Sequence, residues 1–85
     1  MKRIQDRVRQ ILREQGTVPV DVDSLTSETD LYAAGLTSLS SVDLMLAIEQ
    51  NFDFVFPDEA LNRRTFASIG SIAAVVERLK SDAAV

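Results

Sequence analysis

Apolar residues recur at helical spacing in the first fifteen positions of the chain. They fall at i, i+4, i+7 and i+8, which places them on one stripe of a helix. The stripe consists of Ile4, Val8, Ile11 and Leu12. Gly16 follows, and glycine is common directly after a helix. The pattern predicts an amphipathic helix over residues 2–15.

A second apolar stripe predicts a helix from Ser38 to about Asn51. Leu44, Ile48 and Phe52 are spaced by four, with Met45 beside them. Thr37 has the side chain of an N-cap residue. Val42 and Leu46 form another apolar pair, on the same side as Ser38. Either this helix is sandwiched between two others, or the pair is open to a partner.

The last stripe predicts a helix from about Phe66 or Ala67 to Lys80. It consists of Ile69, Ile72, Ala73, Val76 and Leu79. A short helix is predicted before it, from Pro57 to about Arg63. Proline fits a first helical turn, and the two acidic residues that follow it suit the helix dipole.

Two connecting segments lack a helical period. Residues 17–30 are rich in Asp, Ser and Thr and contain a proline, which indicates a loop. A loop of this length is unusual in a small domain, so we expect it to wrap over the helices. One helical turn is expected at residues 30–35, and an extended loop at residues 52–59. The expected core contacts from these connections are Leu31, Leu36, Phe52, Val55 and Phe56.

Length and composition favour a single helical domain. The chain has 85 residues, of which only three are glycine and two proline, so helices are favoured over short strands and tight turns. The prediction is an all-α domain over residues 1–85. It is a small four-helix bundle with three long helices, one short helix and a long loop between the first two.

The charge is unevenly distributed. Residues 16–62 carry nine acidic and no basic side chains, whereas residues 1–15 have a net charge of +3 and residues 63–85 one of +2. The acidic centre would repel a phosphate backbone, so a nucleic-acid partner is not expected. It would attract a basic protein surface. The alternative is that these acids only keep a small protein in solution.

Several classes of chemistry lack the residues they need. The chain contains no Cys and no His, which removes thiolate chemistry and the commonest general base. "GLTSL" is not the G-x-S-x-G motif of a hydrolase nucleophile. Asp43, Glu49 and Asp53 lack the spacing and the glycine of a calcium loop. We therefore expect a non-catalytic protein without a metal site.

No apolar run approaches a membrane span, and "MKRIQDRVRQ" has no apolar signal-peptide core. We expect a cytoplasmic protein without a membrane partner.

Ser38 lies at the predicted start of the second helix. The free N–H groups and partial positive charge of a helix N-terminus stabilise a nearby anion by about 0.3–1 kcal/mol. A phosphodiester on this serine would lie in that field. The alternative is that Ser38 only begins the helix, as Thr37, Ser40 or Ser41 could.

The stretch "DLYAAGLTSLSSVDLMLAIEQNFDFVFPDE" resembles the centre of an acyl carrier protein. The matching residues are Asp30, Leu31, Gly35, Leu36, Ser38 and Leu39. The order of helices around the stretch also matches that family, so the resemblance covers essentially the whole chain. It implies that 4′-phosphopantetheine from coenzyme A is attached to Ser38 by a phosphopantetheinyl transferase. The arm would then hold an acyl or aminoacyl group as a thioester.

This chain departs from the commonest family pattern at three positions. Thr37 stands where Asp usually precedes the modified serine, and that acid often helps the transferase recognise its target. Gln50 and Asn51 stand where fatty-acid carriers often have Glu. "DLYAAGLTSL" with "FPDEALNRRTFASI" looks closer to free-standing aminoacyl carriers, which are loaded by ligases resembling class II aminoacyl-tRNA synthetases. A fatty-acid or polyketide carrier and a peptidyl carrier are the alternatives.

The resemblance also implies which surface the partner enzymes would contact. This partner face comprises Thr37, Leu39, Val42, Asp43, Leu46, Glu49, Asp58, Glu59 and Leu61. The expected partners are the transferase, an amino acid:carrier protein ligase or another acyl-loading enzyme, and a downstream acyl acceptor. We expect the carrier to be a monomer. The rival from another class is an unmodified acidic helical module that binds a basic protein.

Overall fold

The computed structural model describes residues 2–16 and 18–83, with side chains described over 4–16 and 18–80. The described residues form three α-helices: α1 (Lys2–Gln15), α2 (Ser38–Phe52) and α3 (Ile69–Ala83). Single 3₁₀ turns occur at Val22–Ser24 and Asp58–Ala60, and no strand occurs within the described ranges. The predicted all-helical class is confirmed. Thr17, at the start of the predicted loop, lies outside the described residues.

The core lies where α1 packs against both α2 and α3. The three predicted stripes supply most of it. The side chains that are almost completely buried are Val8, Ile11, Leu12, Leu31, Leu44, Ile48, Ile69, Ile72 and Val76. Each stripe fills one side of a shared interior. Each helix therefore depends on the others to keep its apolar side away from water. Within the described residues, no helix combines the length and the apolar character that a membrane crossing needs.

The connection from α1 to α2 wraps over the helices, as predicted. Its side chains Val18, Val22 and Leu25 are buried. Arg9 holds this connection to α1, because its Nη1 donates to the carbonyl oxygens of Val22 and Leu25 at 2.9 and 2.7 Å. A chain with so little interior gains part of its core from this connection.

Both α2 and α3 begin at a reciprocal cap. The Thr37 hydroxyl accepts a hydrogen bond from the Ser40 N–H, and the Ser40 hydroxyl accepts one from the Thr37 N–H. Ser68 and Ser71 exchange the same pair of bonds. The predicted N-cap at Thr37 is confirmed. The last helix starts at Ile69, two or three residues later than predicted, because Ser68 caps it.

The predicted short helix from Pro57 to Arg63 is reduced to the 3₁₀ turn at Asp58–Ala60. Asn62 explains the early stop. Its side-chain amide donates to the Glu59 carbonyl, which a longer α-helix would have paired with the N–H four residues on. Its amide oxygen accepts from the Thr65 N–H. The chain therefore turns instead of continuing as a helix.

The segment after α2 is irregular, as predicted, but its anchors differ. Phe56 is buried, while Val55 is 78% exposed, so the prediction of Val55 as a core contact is wrong. Phe54 packs instead, with its ring centroid 4.8 Å from that of Phe56. Asp53 adopts a left-handed conformation at the end of α2, and this turn directs the next side chains.

Candidate functional site

Ser38 is the first residue of α2, and its side chain is exposed. The Thr37–Ser40 cap fixes the backbone around it, so its position is set by the helix start rather than by a loose loop. The first N–H groups of a helix lack partners within the helix and carry a partial positive charge. A negatively charged group on the Ser38 oxygen would be stabilised there.

The other two serines of "SLSS" have hydroxyls that are already engaged. Ser40 takes part in the cap, and the Ser41 hydroxyl donates to the Ser38 carbonyl oxygen at 2.8 Å. Both are only partly exposed. Among the described residues, none hydrogen-bonds the Ser38 hydroxyl. Ser38 is thus the serine of this group whose oxygen is available to another molecule.

An apolar strip runs along α2 beside Ser38. Leu39 is 82% exposed, Val42 48% and Leu46 46%. Asp43, on the same exposed side of the helix, adds a negative charge. Val42 and Leu46 are therefore exposed on the surface, and α2 is not sandwiched between two other helices at this side.

A groove of about 430 Å³ opens beside Ser38, between α2 and the segment that precedes α3. Its walls are mostly apolar, with Val42, Met45, Leu61 and Phe66 among them. Tyr32 and Arg63 also line it, and the guanidinium carbon of Arg63 lies 4.0 Å from the centroid of the Tyr32 ring. Sequence reasoning did not select these two residues. The only signal for Arg63 was its position as the first basic residue after the acidic centre.

The remaining residues of the predicted partner face lie in different surroundings. Asp58 and Glu59 are exposed in the 3₁₀ turn, and Leu61 is exposed while lining the groove. Glu49 is only partly exposed, and its Oε2 accepts a hydrogen bond from the Phe56 N–H at 2.8 Å. Through this hydrogen bond Glu49 ties the segment after α2 to the helix.

No three side chains of the types that ligate metals come together in the described part of the chain. The carboxylates of Asp43, Glu49 and Asp53 thus do not converge on one site.

The family model described as "Phosphopantetheine attachment site" matches residues 4–79. An aminoacyl carrier protein from Agrobacterium fabrum strain C58 is 53% identical over 70 residues, which cover 82% of this chain and 84% of the relative. Phosphopantetheine is therefore the group that this domain is built to carry.

Solved structures agree with this result. A carrier protein from Agrobacterium tumefaciens, in complex with an engineered Bradyrhizobium japonicum glycine:carrier protein ligase and ATP, matches with a TM-score of 0.84 and 49% identity. The match covers 88% of this chain and 97% of that one. A holo acyl carrier protein from Nitrosomonas europaea matches with a TM-score of 0.82 and 30% identity, over 95% and 99% of the two chains. The chain therefore belongs to the phosphopantetheine-attachment family and is a homologue of aminoacyl carrier proteins.

Proposed function

We propose that the Ser38 oxygen is the point at which 4′-phosphopantetheine is attached. The observation that carries the proposal is the exposed, unengaged hydroxyl of Ser38 at the capped start of α2. The phosphodiester would lie in the field of the helix N-terminus. The groove beside Ser38 offers apolar walls to the rest of the arm. The residues present therefore fit the group.

Phosphopantetheine supplies a terminal thiol that can hold an acyl or aminoacyl group as a thioester. This chain has no cysteine, so it offers no competing thiol of its own. Its residues would position the attachment point, shield one side of the arm and present the surface that partner enzymes recognise. On this proposal residues 1–85 act as one non-catalytic, monomeric carrier domain, and the cytoplasmic location stays a prediction.

We infer that the cargo is an amino acid, loaded by an amino acid:carrier protein ligase. The 53% identity to an aminoacyl carrier protein supports this choice over a fatty-acid, polyketide or peptidyl carrier. The likeness to a carrier crystallised with a glycine:carrier protein ligase supports the same class of loading enzyme. A phosphopantetheinyl transferase that accepts Thr37 and a downstream acceptor of the aminoacyl group complete the set of partners.

These partners would dock on the face around Ser38. Leu39, Val42 and Leu46 supply apolar contact area, and Leu61 extends it across the groove. Thr37 borders the attachment point. The exposed carboxylates of Asp43, Asp58 and Glu59 would orient a basic partner surface and raise its association rate. Glu49 would act on this face through the segment that it fixes. In this arrangement the 3₁₀ turn at Asp58–Ala60 takes the place of the fourth helix of the predicted bundle.

The attachment is tested by mass spectrometry after incubation with coenzyme A, Mg²⁺ and a phosphopantetheinyl transferase of broad specificity. The wild-type protein should gain one phosphopantetheine, and Ser38→Ala should gain none. Ser41→Ala is the matched control, because it removes a neighbouring hydroxyl and should still be modified. Modification of Ser38→Ala would disprove the assignment, as would a failure of the wild type.

The cargo is tested on the modified protein with ATP, single amino acids and a glycine:carrier protein ligase. An amino acid bound as a thioester, released by hydroxylamine, is the expected product. If the modified protein accepts only fatty-acyl groups from an acyl-carrier synthetase, the aminoacyl proposal fails while the attachment proposal stands.

A further inference from the structure

Arg63 is the described cation that lies over an aromatic ring beside Ser38. Its guanidinium rests on the Tyr32 ring at 4.0 Å, within cation–π distance. Arg63 is the only charged side chain among the described residues that line the groove at Ser38. A guanidinium carries its N–H groups at its periphery, so one that lies over an aromatic ring can still donate hydrogen bonds to another molecule. The contact with Tyr32 thus holds the N–H donors of Arg63 in the wall of the groove.

These donors are not used within the described part of the protein. The ion pair found there joins Arg13 and Asp23, and no described carboxylate lies within 4.0 Å of Arg63. No described oxygen accepts a hydrogen bond from Arg63 either. A guanidinium has five N–H donors and is suited to two oxygens of a phosphate or carboxylate. An anion is therefore the partner whose chemistry matches this position.

We propose that Arg63, held by Tyr32, is the positioning residue for the phosphodiester of the group attached to Ser38. This inference rests on the proposed attachment at Ser38. Among the described residues that line the groove at Ser38, Arg63 is the one cation, and the attached group has one anionic centre next to the serine oxygen. Residues 16–62 carry only negative charges, so they would repel that anion, and Arg63 offsets the repulsion. Its contact would direct the arm along the groove.

Arg64 provides a matched control. It is adjacent in sequence, exposed and of the same charge, but it lines a different groove, formed with Thr65, Ser71 and Arg78. A long-range effect of net charge would be nearly the same for both arginines. A direct contact with the phosphodiester would be specific to Arg63.

The test uses nuclear magnetic resonance of the full chain in its unmodified and phosphopantetheine-bearing forms. On modification, the side-chain Nε–H signal of Arg63 should shift by more than its linewidth, and that of Arg64 should not. The phosphorus resonance of the modified protein should move in Arg63→Gln and stay in place in Arg64→Gln. In Tyr32→Leu it should move in the same direction as in Arg63→Gln, and in Tyr32→Phe, which keeps the ring, it should not.

Equal phosphorus resonances in wild type, Arg63→Gln and Arg64→Gln would overturn the proposal, and so would equal shifts of the two arginine signals. The comparison of the Arg63 and Arg64 signals uses the wild-type protein alone, so it tests the proposal even if a variant fails to fold. Failure of the underlying attachment is distinguishable, because a wild-type protein without added mass would give no phosphorus signal at all.

Discussion

The backbone N–H of Gly70 donates a hydrogen bond to the Ser27 carbonyl oxygen, 2.8 Å away. This bond joins the first turn of α3 to the connection between α1 and α2. A second bond, from the Leu31 N–H to the Ala67 carbonyl oxygen at 2.7 Å, lies close to it. Tyr32 follows directly and lines the groove at Ser38. The attachment of the connection to α3 therefore contributes to the geometry of the site.

Gly70→Ala should destabilise the protein although alanine favours helices. A Cβ at this position would lie 2.9 Å from the Ser27 oxygen, which is a backbone atom and cannot move alone. We expect the helix-propensity gain of up to about 1 kcal/mol to be outweighed, with a net loss of about 1 kcal/mol. For a domain of this size that loss lowers the thermal midpoint by roughly 4–8 °C. A midpoint at or above that of the wild type would show that the contact relaxes freely.

Gly35→Ala should be more harmful, because two costs combine there. Gly35 has a φ of 122°, and an added Cβ would lie 2.3 Å from Cδ of Pro19. We expect a loss of about 3 kcal/mol in the free energy of unfolding, measured by urea denaturation. Gly16→Ala is the control, since Gly16 has a φ of 61° but, its chain neighbours apart, no described atom lies within 4 Å of the new Cβ. It should lose only about 1 kcal/mol.

Replacing Pro19 separates the two costs at Gly35. In the background of Pro19→Ala, the substitution Gly35→Ala should lose roughly half as much stability, because the contact is relieved and the backbone strain remains. The same loss in both backgrounds would show that the contact with Pro19 contributes nothing.

Arg9→Met should cost about 2 kcal/mol of unfolding free energy, because it leaves the carbonyl oxygens of Val22 and Leu25 without their charged donor. Arg13→Met is the matched control one turn further along α1. It removes only an exposed ion pair with Asp23, which is worth about 0–1 kcal/mol. Equal losses in the two variants would mean that Arg9 does not hold the connection to α1.

Leu46→Asp should reduce loading of the carrier by its ligase about tenfold, which corresponds to about 1.4 kcal/mol, and should leave the thermal midpoint nearly unchanged. Leu46 is 46% exposed, so its apolar surface is open to a partner rather than required by the core. The measured quantity is kcat/KM for thioester formation on the phosphopantetheine-bearing protein.

Val55→Asp is the control for Leu46→Asp. It introduces the same charge at an apolar residue that is 78% exposed but lies after the other end of α2, away from Ser38. Loading should change less than twofold. Similar losses in both variants would indicate a general charge effect rather than docking on the face around Ser38, and a large fall in the midpoint of Leu46→Asp would place Leu46 in the core.

The helices and their buried sides were predictable because they depend on neighbours three or four residues apart. Most members of the stripes that contain Val8, Leu44 and Ile72 are buried as their spacing predicted. The members that are only partly buried, and pack against the core, are Ile4, Met45, Phe52 and Leu79. Thr37 was also predictable as a cap, since a cap involves residues within a single turn. Ser68 and Ser71 have the spacing of Thr37 and Ser40, and this signal in the sequence would have given the true start of α3.

The short third helix was predicted too long because two local signals conflict. Pro57 and the acids after it favour a helix start, whereas the Asn62 side chain takes the Glu59 carbonyl and ends the turn. The prediction that Val55 lies in the core also failed because of local backbone geometry. The turn at Asp53 sets which of the next side chains face inward, and spacing alone does not reveal it.

Local spacing and side-chain chemistry were enough to predict the helical class, the start of α2 and an exposed serine in an acidic segment. They were not enough to predict that Arg63 rests on Tyr32, that Glu49 binds the Phe56 N–H, or that a groove opens beside Ser38. A stripe or a cap is encoded by residues within a turn or two of each other. A contact between distant residues depends on how all the packed helices and connections share one small interior.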